Sequence, residues 1–312
     1  MNNIVDILEV GLRDGLQNVK ENLSIKDRLF IIEGLIEAGI NKIQVASFVD
    51  PKRVPQMAIA EDLVKRLDKK NGVEYSGLVF NVRGVERALS CDLNKVETSV
   101  SINDKYSKQN LAMSVSESMI NLKSIVELAR KNSMKIRAGL QCVWGYDGNN
   151  DYDQLIVIEH LRRIVGMGVN RISLCDTPGM ANPKRISELL DEVLSLFPDL
   201  QISIHLHNTN GLGLVNLFSA LDFGIKEIDT SLGGIGGSPF IKNSKGNIAT
   251  EDVVYLMESM GYNTGLDIKK LSDLSNYLEK KIQELDPSGE VLRRFFRYWN
   301  QEPGGLGSQK NI

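Results

Sequence analysis

Two histidines one residue apart, His205 and His207, sit in the run Gln201-Ile-Ser-Ile-His205-Leu-His207-Asn208. The run alternates like a strand, and a period of two places both imidazoles on the same face. Side by side, two neutral imidazoles make a metal-ligand pair. The chain has 3 histidines, the third being His160, so this spacing uses all but one of them. Alone, an H-x-H pair is equally compatible with half-buried polar residues of a strand. With Asp14 and Asn247 around the same ion, the donors would be two ring nitrogens, a carboxylate, an amide oxygen and no thiolate. That set suits an octahedral divalent ion, Mg²⁺ or Mn²⁺, with water or substrate oxygens in the other positions; Zn²⁺ also accepts nitrogen and oxygen but fits less well. Such an ion acts as a Lewis acid on a substrate that chelates through a hydroxyl and a carboxylate or carbonyl. Arg13, beside Asp14, brings a permanently charged fork for an enolate or carboxylate oxygen. Breaking or making a carbon–carbon bond next to a carbonyl is the chemistry these parts support.

The elements that must position them alternate along the chain. Short β-branched runs at Ile4–Val10, Lys42–Ser47, Glu74–Phe80, Lys95–Ile102, Lys135–Cys142, Arg171–Cys175, Gln201–His207 and Glu227–Leu232 are separated by helical patterns. Ser24 caps one helix that Gly39 stops, Asp151-Tyr-Asp153 opens another ending near Gly166, and Pro183 opens a third that ends before Pro198. Crossovers of this length imply parallel strands, and eight strand–helix units in order fit a closed α/β (β/α)8 TIM barrel better than an open doubly wound sheet. Active sites of such barrels lie at the C-terminal ends of the strands. Arg13 and Asp14 follow the first strand, Gln44 lies in the second, Asp176 follows the sixth, and the histidines belong to the seventh. A glycine-rich loop, Gly233 to Asn247, follows the eighth. This convergence favours the metal reading of the histidines; the alternative for Arg13 is an ion pair closing the barrel mouth.

Bulk properties bound the function class. A chain of 312 residues, 42% hydrophobic with a net charge of −3, carries no basic footprint for nucleic acid. It has no basic-then-apolar leader and no apolar run of membrane-spanning length, so the expectation is a cytoplasmic protein with a small-molecule partner. The cysteines, Cys91, Cys142 and Cys175, are odd in number and unclustered, against a disulfide framework or a thiolate zinc site. The expected organisation is a barrel over residues 1–265, C-terminal helices packed on it over 266–300, and a disordered tail over 301–312. The helices are read at Asp267–Leu285 and Gly289–Trp299, the second with Phe295, Phe296, Tyr298 and Trp299 facing the barrel or a second subunit.

Five segments in order resemble the 3-hydroxy-3-methylglutaryl-CoA lyases, within the DRE-TIM metallolyases: Glu9-Val-Gly-Leu-Arg13-Asp14-Gly-Leu-Gln-Asn18, Ala46-Ser-Phe-Val-Asp-Pro-Lys-Arg-Val-Pro-Gln-Met57, Ile172-Ser-Leu-Cys-Asp176-Thr177, His205-Leu-His207-Asn-Thr209 and Gly246-Asn247-Ile-Ala-Thr-Glu-Asp252. The resemblance runs from about residue 4 to residue 265. It implies a metal-dependent retro-Claisen cleavage of a 3-hydroxyacyl-CoA to acetyl-CoA and a 3-oxo acid, acetoacetate for the family substrate, in a protein that is often a dimer. It also implies Asp14, His205, His207 and Asn247 as metal ligands, Arg13 as the group steadying the enolate, and Asp176 as a participant in proton transfer.

Two positions depart from the family pattern. Gln44 stands where these lyases carry a glutamate, which removes a charge and any proton-transfer capacity. Ser238 stands where they carry a loop cysteine placed to protonate the enolate carbon, and a hydroxyl is a far weaker acid than a thiol. Cys142, at the end of the fifth strand, is a candidate to face the barrel mouth instead. The segment Gln141-Cys-Val-Trp-Gly-Tyr146-Asp-Gly148 is shorter than its counterpart, so Trp144 and Tyr146 are expected to reshape the pocket, while Lys52 and Arg53 read as solvated loop charges rather than phosphate contacts. Two other readings stand beside the lyase: a related condensing synthase or aldolase, and a barrel that binds metal and acyl-CoA without catalysis.

Overall fold

The computed structural model describes residues 4–17, 19–69, 72–147, 152–237, 246–282 and 289–291. All eight strands expected from the sequence form, each slightly shorter or equal at its ends except the sixth, which gains Asp176: β1 (Asp6–Glu9), β2 (Lys42–Ser47), β3 (Glu74–Leu78), β4 (Lys95–Ser101), β5 (Lys135–Gln141), β6 (Arg171–Asp176), β7 (Gln201–Leu206) and β8 (Glu227–Thr230). They pair in parallel and in sequence order, and β8 closes on β1 through Asp6↔Glu227 to Glu9↔Thr230. The helices are α1 (Ile25–Glu37), α2 (Ala60–Lys65), α3 (Val82–Leu89), α4 (Asp104–Leu111), α5 (Val115–Lys131), α6 (Gln154–Gly166), α7 (Pro183–Leu196), α8 (Gly213–Leu221), α9 (Thr250–Ser259) and α10 (Ile268–Lys281). Their ends follow local chemistry. Ser24 Oγ accepts from Asp27 N–H at 3.1 Å, Asp153 and Asn182 cap α6 and α7, and Gly39 past α1 takes φ +99°, a conformation glycine adopts freely. None of the described helices is long and apolar enough to cross a membrane.

Alternation along the strands separates two interiors. Val96, Leu140, Leu174, Ile204 and Ile228 face the helices, and the apolar core is the shell between barrel and helices. The bore itself is polar, unlike the bulky branched filling usual in these barrels. At its N-terminal end opposite charges tie strands to their neighbours, Lys42 with Asp6 and Lys95 with Glu74 at 2.5 Å, and across one strand, Lys135 with Glu74 at 2.9 Å and Arg171 with Glu227 at 3.1 Å. One layer higher, Arg137 of β5 bridges Glu97 of β4 and Asp229 of β8, at 2.5 and 2.7 Å.

The helix α10 lies on α1, where Gly34 lets it come close: a Cβ there would sit 2.6 Å from Leu274 Cδ2. Phe30 and Tyr277 stack at 4.6 Å, and Tyr277 O–H donates to Asp27 at 2.6 Å. Of the second expected C-terminal helix only 289–291 are described, where the Glu290 and Val291 N–H groups donate to Asp252 at 3.0 and 2.7 Å. The aromatic cluster at 295–299 and the tail at 301–312 lie outside the described residues.

A candidate metal centre at the mouth of the barrel

Three loops at the C-terminal ends of the strands bring the candidate ligands together. After β1 the chain makes a single π-type turn, Gly11–Gly15, that carries Arg13 and Asp14. Buried Glu9 anchors this turn to the loop after β8: its carboxylate accepts from Gly11 N–H at 2.8 Å, Leu232 N–H at 2.9 Å and the Thr250 hydroxyl at 2.6 Å. His205 lies in β7, while His207, just past it, forms an isolated bridge with Asn247. Gly236, at φ +123°, runs against the site; a Cβ there would meet Asn247 Nδ2 at 2.6 Å and Asp14 Oδ2 at 3.4 Å.

The geometry suits a cation. His205 Nδ1 lies 3.2 Å from Asp229 Oδ2, a carboxylate, so this nitrogen carries the proton and Nε2 carries the lone pair. His205 Nε2 is 3.2 Å from His207 Nε2, and each is 3.9 Å from Asp14 Oδ2. One ligand atom from each residue falls within 4.8 Å of the others, and all three residues are buried. Asn247 Nδ2 donates to Asp14 Oδ2 at 2.8 Å and to Ile235 O at 3.1 Å, while its carbonyl Oδ1 is buried with no partner among the described residues. An orphaned amide oxygen beside two imidazoles and a carboxylate is the donor set of an oxygen-preferring divalent ion. Burial alone would raise the Asp14 carboxyl, but Arg13, the imidazoles and Asn247 outweigh it and hold it at about 2. Burial and the neighbouring imidazole push His207 down to about 4, against the pull of Asp14, which keeps the ring a neutral ligand.

Arg13 is held on two sides, donating through Nε to Gln44 Oε1 and through Nη1 to Asp14 Oδ1. Arginine can only donate, so the Gln44 carbonyl must face it, and the Gln44 Nε2 group is left buried without a partner among the described residues. Both residues line a cavity of about 840 Å³ that also meets Asp14, His205 and His207 and reaches down the bore to Glu97, Arg137 and Asp229. This is the size range of small-molecule sites.

Other expected positions fall differently. Asp176 is fully buried and absent from the cavity wall; its carboxylate accepts from Met180 N–H at 2.8 Å and Ala181 N–H at 3.1 Å, holding the turn into α7. Burial pushes it up to about 7 against these amides. Ser238 lies outside the described residues. Cys142 does not face the mouth: it is fully buried in a left-handed conformation (φ +64°), turned from the cavity because the strand ends there, and burial pushes its thiol up to about 12. Trp144 does not line the pocket either; it is buried under α7, donating Nε1–H to Arg185 O at 3.3 Å. Tyr146 acts one step removed, through a 2.6 Å hydrogen bond to Gln109 and an edge contact with Tyr106, both of which line the cavity. Of the two loop cations, Arg53 lines the mouth and Lys52 does not. Asp229, Arg137, Cys175 and Gln141 were missed as site residues, although the alternation of their strands places each on the inward face; only the pairing Cys175↔His205 and His205↔Asp229 reveals them as neighbours.

Comparisons with known proteins agree with this geometry. The HMGL-like family model matches residues 4–278. The hydroxymethylglutaryl-CoA lyase of Bacillus subtilis is 37% identical over 284 residues, covering 91% of this chain and 95% of its own, and the mitochondrial enzyme of Homo sapiens is 34% identical over 274 residues, covering 88% and 84%. A crystal structure of the Bacillus subtilis HMG-CoA lyase superposes with a TM-score of 0.89 at 36% identity, covering 95% of this chain and 100% of that one. An HMG-CoA lyase of Acinetobacter baumannii, solved with coenzyme A and 3-methylmalate, gives 0.88 at 28% identity, covering 99% and 98%. Matched by the family model over residues 4–278 and similar to these relatives over most of its length, the chain belongs to the HMGL-like family.

Proposed function

We propose that the protein is a divalent-metal-dependent carbon–carbon lyase that cleaves a 3-hydroxy-3-methylglutaryl-CoA-like acyl-CoA to acetyl-CoA and a 3-oxo acid. The observation that carries this reading is the convergence of Asp14, His205 and His207 within 4.8 Å, beside the orphaned Asn247 carbonyl, at the wall of a cavity that Arg13 also lines. Mg²⁺ or Mn²⁺ bound by these four residues would lower the pKa of the substrate hydroxyl and hold the carboxylate or carbonyl beside it.

The chain's own residues supply the rest. In the overall reaction the bond between C2 and C3 breaks, the 3-hydroxyl loses its proton, and C2 gains one, so atoms and charge balance without a further reactant. The electron pair released to C2 delocalises onto the thioester oxygen, and the Arg13 guanidinium is placed to offset that charge. Anchoring by Gln44 and Asp14 fixes the guanidinium before substrate arrives. Gln44 presents a hydrogen-bond donor where a glutamate would present a base, so it orients a substrate oxygen and moves no proton. Asp176 holds the turn carrying Thr177, a cavity residue, and acts through position. Ser238 has no thiol to offer the enolate carbon.

The test is acetyl-CoA release from 3-hydroxy-3-methylglutaryl-CoA with Mg²⁺ or Mn²⁺, and again with chelator, for the native protein, His207→Ala and Ser238→Cys. Metal-dependent release by the native protein and loss of it in His207→Ala are expected. Release unaffected by chelator, or none by the native protein and by Ser238→Cys alike, overturns the reading.

A further inference from the structure

The cavity does not stop at the metal ligands. Below them, the inward positions of β4, β5 and β6 are Ser99, Gly139, Ser173 and Cys175, small residues that leave the bore open down to Arg137. At Gly139 an added side chain would close on its neighbours: a Cβ there would stand 3.3 Å from Ser99 Cβ and 3.4 Å from Cys175 Sγ. Its φ is not in the left-handed region, so the glycine is there for space and not for a turn.

The polar character of this chamber is specific. Arg137 forms its floor, but all its donors are spent: Nε on Glu97 at 3.0 Å, Nη1 on Ser203 at 2.8 Å and Asp229 at 2.7 Å, and Nη2 on Glu97 at 2.5 Å and Asp229 at 2.9 Å. A guanidinium has five N–H groups, so none remains for a ligand carboxylate. Glu97, Asp229 and Ser203 are the acceptors of these bonds, so the floor has no donor left to turn towards a ligand carboxylate. Above Gly139 on the same face of β5, the side-chain oxygen of Gln141, also in the cavity wall, is buried with no partner among the described residues.

We propose that this chamber receives the third substituent on C3 of the substrate, the group carried beside the hydroxyl and the chelating carboxylate, and that it selects an uncharged, hydroxyl-bearing chain longer than a methyl group. The inference rests on the lyase reading and deepens it by naming the substrate class. A hydroxyl supplies the donor that Gln141 lacks, a methyl leaves that oxygen unpaired and the space unfilled, and a carboxylate meets a floor with no free donor.

The test uses 3-hydroxy-3-methylglutaryl-CoA and homologues in which ethyl, 2-hydroxyethyl or 2-carboxyethyl replaces the methyl group. It measures kcat and KM for the native protein and for Gly139→Ala and Gly139→Val. Binding of the corresponding free acids with Mn²⁺ is measured by calorimetry on the same proteins. One methylene in a fitted pocket is worth roughly 10–200-fold. The native protein should therefore favour 2-hydroxyethyl over methyl by about tenfold or more in both kcat/KM and free-acid affinity, and should reject 2-carboxyethyl. Gly139→Val should reverse the preference towards methyl, with Gly139→Ala between. Turnover by the native protein with methyl preferred, or equal losses for every substrate in Gly139→Val, overturns the chamber and leaves the lyase standing. No turnover with the expected order of acid affinities overturns the lyase and leaves the chamber. Neither turnover nor selective binding overturns both.

Discussion

Replacing Arg137 by Met is the sharpest perturbation of the barrel interior. Arg137 is 4% exposed and donates to Glu97, Asp229 and Ser203, so the variant leaves two buried carboxylates with no guanidinium between them. Breaking a buried ion pair by removing one partner costs about 3–5 kcal/mol. At the low end of the size scaling, about 2 °C per kcal/mol, that is a fall in Tm of roughly 6–10 °C at about pH 8. In the native protein both carboxyls are held below their ordinary range, so their contribution is in place above about pH 4 and is lost only as pH falls further. In the variant burial is opposed only by Lys95 and Ser76 at Glu97 and by His205 at Asp229, so their folded pKa values rise, and the stabilisation they give while protonated is lost as pH rises. The gap between the proteins must widen from about pH 5 to about pH 8. Melting curves at the two pH values check this, and Glu97→Gln with Asp229→Asn in the same background should recover much of the loss. A variant as stable as native at the higher pH, or a gap independent of pH, would refute the reasoning.

Glu251 is buried, accepts from Gly233 N–H at 3.0 Å, and is pushed up to about 8 by burial, so it stabilises the fold while protonated and ceases to as pH rises through that value. The native Tm should fall between about pH 5 and 8, by up to ~1.4 kcal/mol per pH unit from this group, and Glu251→Gln should make the fall shallower; equal slopes would contradict it. Asp229→Asn removes the carboxylate that sets the His205 tautomer, and calorimetry should read Mn²⁺ affinity about 10–100-fold weaker; unchanged affinity would leave the carboxylate no such role. Gly236→Ala puts a methyl 2.6 Å from Asn247 Nδ2 at φ +123°, a conformation alanine rarely adopts, so the Tm should fall and Mn²⁺ binding, titrated well below the new Tm, should weaken; a native-like titration would count against Asn247 as a ligand.

The barrel was legible because its strands and helices carry different periods and clear caps, as Ser24, Asp153 and Pro183 show. Arg13 and Asp14 after the first strand and His207 at the end of the seventh are where the strand-end rule puts a mouth residue, and all three line the cavity. Side-chain direction at a strand end was not legible. Asp176 ends β6 and Cys142 follows β5, yet the first turns back onto the amides of its own loop and the second leaves through a left-handed residue. Nor could a period of two say that Asp229 meets His205 or that Arg137 meets Glu97, because those contacts are set by register between strands and the residues lie 24 and 40 positions apart.

The paired charges at the N-terminal end of the bore, Lys95 with Glu74 and Arg171 with Glu227 among them, turn the barrel into a cul-de-sac. Whatever enters must leave by the same door. For a substrate that is split in place, the fragment nearest the door departs first and the deeper one waits behind it. With the C3 substituent in the chamber as proposed, the oxo-acid fragment is the deeper of the two, so the traffic is last in, first out, and the acid leaves after the thioester.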